Sequence, residues 1–300
     1  MLMQSIQKIL QKMGYQLVHY KGNKVHSNKL NFIDASIDLE KFEFLVRGKD
    51  LLHQLVKEYN AKVELNNLEQ IEISINNLKF VVNTWEEILI LNEVFCVGMY
   101  NYVTAEDYLL IDIGMNVGIT SLFHSNKTNC KKIFSFEPFE STIILANQNF
   151  KLNKTFDKIK VHNIGLGFPT RALEINYSAE YKGSVGINGV ADYVNEETKN
   201  TNVAILNIVD IAEVVTPIFD ENNALLKLMK IDAEGVEYEI LERLSATGLI
   251  KQIDAFMIEW HLKGPKELED VLSRHGFKMV SFNTKNKQIG MLYAFNTAKV

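Results

Sequence analysis

From Asp107 onward, short apolar runs alternate with segments of helical periodicity, and the main runs carry a polar residue at or beside their ends. Leu109 to Ile113 is apolar apart from Asp112, the pattern of a parallel strand buried on both faces. It runs into Gly114-Met115-Asn116-Val117-Gly118 and then into a helix. Lys132 to Phe136 reads as a second strand, closed by Glu137-Pro138, with a helix over Phe139 to Leu152. Lys160 to Gly167 supplies a third, carrying Asn163 and two glycines towards its end. The regularity then weakens. Arg171 to Tyr177 and Val203 to Asn207 read as strands, Gly183 to Ile187 as a glycine-rich turn, and Asn195 to Asn202 as a polar surface loop. Leu225 to Ile231 is the fourth main strand, Val236 to Leu244 its helix, and Ala255 to Trp260 the fifth strand. A helix over Pro265 to His275 precedes a closing antiparallel pair, Met279 to Phe282 with Gly290 to Phe295. This alternation predicts an α/β fold, a mostly parallel doubly wound sheet with right-handed crossovers.

Upstream the pattern differs. Residues 1–83 read as an N-terminal α/β extension and 84–300 as the main domain. Leu2, Ile6, Ile9, Leu10 and Met13 recur at helical spacing, with Gln4, Lys8 and Lys12 between them. Such a helix packs on the protein or on a second subunit, and its polar interruptions exclude a signal core or a membrane span. Asp50 to Tyr59 fits a helix. Ile71 to Ile75 alternates strictly, and Asn76-Asn77 joins it to Leu78 to Val82 as a hairpin. Thr84 and Glu87 stand at capping-box positions for the next helix, which ends at Gly98.

Composition narrows the function. At 47% hydrophobic and 23% charged residues the chain is an ordinary globular protein. A net charge of −5 gives no electrostatic case for nucleic acid. The two cysteines, Cys96 and Cys130, lack metal spacing and read as reduced thiols of a cytoplasmic protein. The oligomeric state is not encoded in any readable motif.

The chemistry sits at the strand ends. Gly114 lets the chain turn tightly, and Gly118 allows close approach to the new helix. Glu137 lies about 20 residues beyond this turn, the offset at which an acid meets a nucleotide ribose in doubly wound folds. The turn is Gly-x-Asn-x-Gly rather than Gly-x-Gly-x-x-Gly, so an adenosine ligand without a pyrophosphate fits better than a dinucleotide.

Asp-x-Gly-x-Asn-x-Gly, the Phe-Glu-Pro strand end, the Asn-x-x-Leu-Gly run and Lys230-Ile231-Asp232-Ala233-Glu234-Gly235-Val236-Glu237 together resemble the FkbM family of S-adenosylmethionine-dependent methyltransferases. The resemblance runs from about Trp85 to Trp260. It implies a Rossmann-like class I methyltransferase fold with a reversed strand near one edge. It also implies S-adenosyl-L-methionine as cofactor and O-methylation of a hydroxyl on a sugar, glycan or other small metabolite. Asp112, Gly114, Asn116 and Gly118 would then line the methionine and ribose side, Glu137 would take the ribose hydroxyls, and Asn163 would lie near the adenine. Ser184, Tyr100 and Tyr102 stand where they would close over the donor.

Asp232, Glu234 and His261 are the expected catalytic residues. Asp232 ends a mostly apolar strand beside the crevice and would also touch the donor. Glu234 and Glu237 share one face where the next helix begins. His261 ends the fifth strand, placed to accept a proton at neutral pH. Asp232, Glu234 and Glu237 also form a set able to hold a divalent cation, but no second ligand cluster accompanies them and no metal is assigned. Two other readings compete: a nicotinamide-binding oxidoreductase, disfavoured by the missing glycine pattern, and a non-catalytic scaffold of the same fold.

Overall fold

The structure is a computed structural model describing residues 32–155, 157–177, 185–186, 189–190, 202–283 and 288–297. The helix expected over Met1 to Met13, Ser184 and the polar run from Asn195 to Thr201 lie outside the described residues.

Seven strands build the central sheet: β1 Tyr108–Ile113, β2 Cys130–Phe136, β3 Ile159–His162, β4 Leu226–Ile231, β5 Ala255–His261, β6 Phe277–Asn283 and β7 Ile289–Asn296. Their order across the sheet is β6-β7-β5-β4-β1-β2-β3. Neighbours from β5 to β3 pair in parallel, and only β7 is reversed, one strand in from the edge. Strand order changes direction between β1 and β4, which opens a crevice beyond their carboxyl ends. All six residues of β1 are buried, as its apolar run requires. Helices Ile211–Glu221, Glu237–Thr247 and Lys266–Arg274 cover one face through Val215, Phe219, Leu241, Leu244 and Leu272. Helix Ile119–Ser125 packs on β1 and β2 from the other.

Two elements depart from the sequence reading. The third strand is not continuous: β3 stops at His162, and Gly165–Gly167 leaves the sheet to pair with Asn202–Asp210, itself antiparallel to Arg171–Tyr177. The break falls at Asn163, whose amide donates to the carbonyls of Glu137 and Pro138 at 3.1 and 3.0 Å. The helix Ile211–Glu221 falls in a stretch to which the sequence reading assigns no element, and Pro217 sits inside it. Asp210 caps that helix through the N–H of Ala212.

Contacts join Phe32 to Val300 into one compact unit. Within it Lys62–Leu65, Ile71–Ile75 and Leu78–Val82 form a small antiparallel sheet. The hairpin and the Thr84–Glu87 capping box are present as expected. The free edge of Leu78–Val82 is covered by helix Glu140–Asn153 in an uncommon way. Asn149 accepts from the N–H of Val81 and Asn153 from that of Lys79, both at 2.8 Å. Asn153 also donates to Lys79 O. The Asn149 amide donates in turn to Val117 O in the glycine turn, at 3.1 Å. One buried side chain thus ties the small sheet to the turn after β1. Among the described residues no helix is long and apolar enough to cross a membrane.

Asn149→Ala would leave a buried N–H and a buried C=O without partners. Each such loss costs about 1–3 kcal/mol, so the variant is expected to unfold about 2–4 kcal/mol more easily. An unchanged denaturant midpoint would show that water replaces the amide.

Candidate active site

The turn after β1 is built by backbone geometry. Gly114, Asn116 and Gly118 all have positive φ, at 75, 52 and 82°. The N–H groups of Gly114 and Met115 both donate to Phe136 O, and Asp232 N donates to Ile113 O. These bonds gather the ends of β1, β2 and β4. A Cβ on Gly114 would lie 1.8 Å from the Asp232 carbonyl oxygen, so no side chain fits there. Gly118 serves a different neighbour from the one expected. Its missing Cβ makes room for the Phe150 ring, 2.5 Å from where it would stand. It therefore packs one helix on another, and its close approach is not to a ligand.

Asp112 also lies elsewhere than expected. It is fully buried beneath the turn. One carboxylate oxygen accepts from Ser121 Oγ at 2.6 Å, and Ser121 contacts Ser135 Oγ at 2.7 Å. The other faces Lys230 Nζ at 3.3 Å. Lys230, quoted in the sequence motif but given no role there, is buried in β4 opposite Asp112 in register. Its ammonium also donates to Gly114 O and lies 3.4 Å from Asp232. Burial alone would push this lysine down, but Asp232 and Asp112 outweigh it and hold the ammonium charged. Asp112 thus supports the site from behind through Lys230. The signal was present as a lysine beside the end of a strand whose last residues are otherwise apolar.

Glu137 stands at the end of β2 with both oxygens held by backbone. Asn116 N donates to one at 3.0 Å and Phe139 N to the other at 3.1 Å. Burial pushes its carboxyl up to about 7, against the pull of these two N–H groups and of Lys230. Asn163 is exposed and spends its amide on the Glu137–Pro138 carbonyls, so it orders this corner and does not line the cleft.

Two clefts meet at the turn. The larger holds about 720 Å³ of empty space between Glu137, Phe139, Leu166 and Ile208 and reaches Gly114, Asn116, Asp232 and Glu234. The second, about 330 Å³, continues past Asn116 and Asp232 to Glu93, Tyr100, Thr120 and Lys230. Gly114, Asn116 and Asp232 line both.

The structure brings Asp232, Glu234 and His261 together: one ligating atom from each lies within 4.8 Å of the others. Glu234 sits in the left-handed region at φ 49°, a conformation that non-glycine residues hold mainly where the surroundings impose it. Burial lifts its carboxyl to about 8, with Asp232, Glu237 and Glu259 adding to the rise against His261. Glu237 is fully buried, accepts from the N–H groups of Ala233 and Gly235, and meets His261 Nδ1 at 2.9 Å. Desolvation works against the charge on His261, yet Glu237, Glu234 and Asp232 raise it to about 10. This corrects the expected role: an imidazole held as imidazolium does not take up a proton at neutral pH.

Sequence reasoning passed over two further acids. Glu259, at the end of β5, accepts from Tyr100 Oη at 2.6 Å, and the same hydroxyl reaches Asp232 at 3.3 Å. Burial, then Asp232, lifts Glu259 to about 7. Glu93 lies in the π-helix Glu93–Val97, raised to about 8 by burial and by Glu259 and Asp232; nothing in its local sequence marks it. Tyr100 is fixed by His124, whose Nε2 donates to the Tyr100 carbonyl at 2.8 Å. Tyr102 instead stacks on Phe295, away from the clefts.

The sheet order, the single reversed strand and the glycine turn above β1 make this the Rossmann-like fold of methyltransferases. The methyltransferase FkbM domain model matches residues 112–279, and the chain belongs to that family. Methyltransferase 1 of Beauveria bassiana is 24% identical over 153 residues, 46% of this chain, which spans only 59% of that relative. Methyltransferase sdnD of Sordaria araneosa is 22% identical over 219 residues, 66% of this chain and 85% of that one. The crystal structure of methyltransferase FkbM from Methylobacillus flagellatus aligns over 97% of this chain and 70% of its own, with a TM-score of 0.44 and 12% identity.

Gly114→Ala and Gly248→Ala both impose positive φ on alanine, but only Gly114 faces an atom, the Asp232 carbonyl; Gly248 has nothing within 4 Å. The backbone penalty common to both is about 1–2 kcal/mol. Gly114→Ala is expected to lower the melting temperature well beyond Gly248→Ala. Equal shifts would mean that the turn yields without disturbing β4.

Proposed function

We propose that the chain binds S-adenosyl-L-methionine across the two clefts and transfers its methyl group to a hydroxyl of a sugar, glycan or other small metabolite. The observation that carries this reading is Glu137. Its carboxylate lines the larger cleft, and the N–H groups of Asn116 and Phe139 fix its direction. The remaining lone pairs suit the two hydroxyls of a ribose. The apolar wall of Phe139, Leu166, Leu173, Ile175 and Ile208 suits an adenine. The second cleft takes the methionine part, where Glu93, Asp232 and Tyr100 provide acceptors for its ammonium and Lys230 a counter-charge for its carboxylate. A sulfonium also gains from the acidic surroundings of Asp232.

Transfer is an in-line displacement. The acceptor oxygen forms a bond to the methyl carbon as the carbon–sulfur bond breaks, and that electron pair stays on sulfur as a neutral thioether. The enzyme aligns the oxygen and removes its proton. Asp232 and Glu234 stand where the crevice opens and take these roles, Glu234 as a base only once pH rises through about 8, where its carboxyl ionises. Calorimetric titration with S-adenosylhomocysteine, with NAD in parallel, tests the donor: micromolar binding of the first is expected, and binding of NAD alone would overturn the reading.

Ribose hydroxyls donate to an ionised carboxylate better than to a protonated one. Binding therefore favours the charged form of Glu137, whose free carboxyl titrates at about 7. S-adenosylhomocysteine affinity is expected to rise as pH increases through that value. Glu137→Gln should bind about tenfold or more weaker, as loss of a charge-assisted pair implies, and remove the pH slope. A slope that survives in the variant would assign it to another group.

Asp232→Asn and Glu234→Gln keep shape and remove charge. With an identified hydroxyl acceptor each is expected to reduce turnover by about a hundredfold. Wild-type turnover in both would move the chemistry away from this end of the sheet.

A further inference from the structure

We infer that Asp232, Glu234 and His261 form a site for one divalent transition-metal ion, held open towards the larger cleft. The first ground is the donor set. One imidazole nitrogen and two carboxylate oxygens come within 4.8 Å of one another at the ends of β4 and β5.

The second ground is independent of the acids. His261 is 5% exposed, and its two nitrogens are treated differently. Nδ1 is spent on Glu237, a carboxylate that only accepts, so that nitrogen carries a proton. Nε2 points to the Glu234 carboxylate at 3.7 Å, beyond hydrogen-bond reach, and makes no hydrogen bond among the described residues. A buried carboxylate that grips one imidazole nitrogen and aims the other at a group of anionic oxygens is the outer-shell arrangement of metal-bound histidine. Glu237 is itself fixed by the N–H groups of Ala233 and Gly235, which leaves the ring little freedom.

Local charge points the same way. Among the described residues the ion pairs of Asp232, Glu234 and Glu237 are with Lys230 and His261, and Lys230 is already shared with Asp112. A divalent cation would meet that gathering of carboxylate oxygens together with one imidazole nitrogen. The mixed nitrogen and oxygen set fits manganese, iron, cobalt or zinc better than calcium. Asp232 and Glu234 both line the larger cleft, so the unfilled coordination positions face the space where an acceptor would lie. If the methyl-transfer reading holds, a metal held by Asp232, Glu234 and His261 would polarise the acceptor hydroxyl there.

The test uses the full chain, stripped with a chelator and titrated with Mn²⁺ under electron paramagnetic resonance. One Mn²⁺ per chain is expected, with a ¹⁴N coupling from the imidazole. The coupling should vanish in His261→Gln. Asp232→Asn and Glu234→Gln should each weaken binding at least tenfold, and Glu237→Gln, which touches no ion, by about 10–100-fold. Circular dichroism identifies any variant that has lost its fold. No binding at millimolar Mn²⁺ or Zn²⁺, or binding indifferent to Asp232→Asn and Glu234→Gln, overturns the site. S-adenosylhomocysteine titrated into the same stripped sample separates the two readings: donor binding without Mn²⁺ binding removes the metal alone.

Discussion

A lysine buried in the middle of a parallel sheet keeps its charge only if anions are brought to it, and Lys230 organises the open end of this sheet on that condition. Asp112 lies opposite it on β1, Asp232 two residues ahead and just past the end of its strand, and the Gly114 carbonyl closes the cage. These contacts draw the ends of β1 and β4 so close that Gly114 has no room for a side chain. Ser121 and Ser135 carry the same constraint sideways into the following helix and β2. The position of Asp232, at the junction of both clefts, is therefore set from beneath, by Lys230 and the buried Asp112 behind it. Deleting any one member strands a buried charge.

Much of this end of the molecule was legible in the sequence, because apolar strands that stop on a polar residue are easy to see. Gly114, Asn116, Glu137, Asp232 and Glu234 all line the crevice, and His261 joins them at its rim. The features that escaped share a cause: they depend on which residue is a neighbour, not on which residue is present. Gly118 looks like an invitation to a ligand until Phe150 is found against it. Asn163 has the place of a base-recognition residue, yet two nearby carbonyls claim its amide. His261 resembles a free base until Glu237 takes its proton-bearing nitrogen. Glu93 reaches the cluster from a π-helical turn more than a hundred residues before Glu234, and no local pattern encodes that meeting.

The crevice is electrically lopsided. On the side of Glu137 it is walled by leucine, isoleucine and phenylalanine, and the one carboxylate there is already hydrogen-bonded to backbone. On the side of Tyr100 it is lined by Glu93 and Asp232, with Glu259 hydrogen-bonded behind the tyrosine. A ligand lying across both would meet an apolar wall at one end and a cluster of carboxyls around one buried lysine at the other.

The asparagine pair on helix Glu140–Asn153 follows a coincidence of two repeat lengths. Four residues of α-helix advance about 6.0 Å, and two residues of β-strand about 6.6–6.8 Å. Side chains four apart on a helix can therefore stand in for a missing strand, meeting every second amide along a sheet edge, as Asn149 and Asn153 do at Val81 and Lys79. Commensurability of this kind tolerates substitution around it but not a change of spacing. A single residue inserted between the two asparagines would swing one of them about 100° around the helix and free the edge.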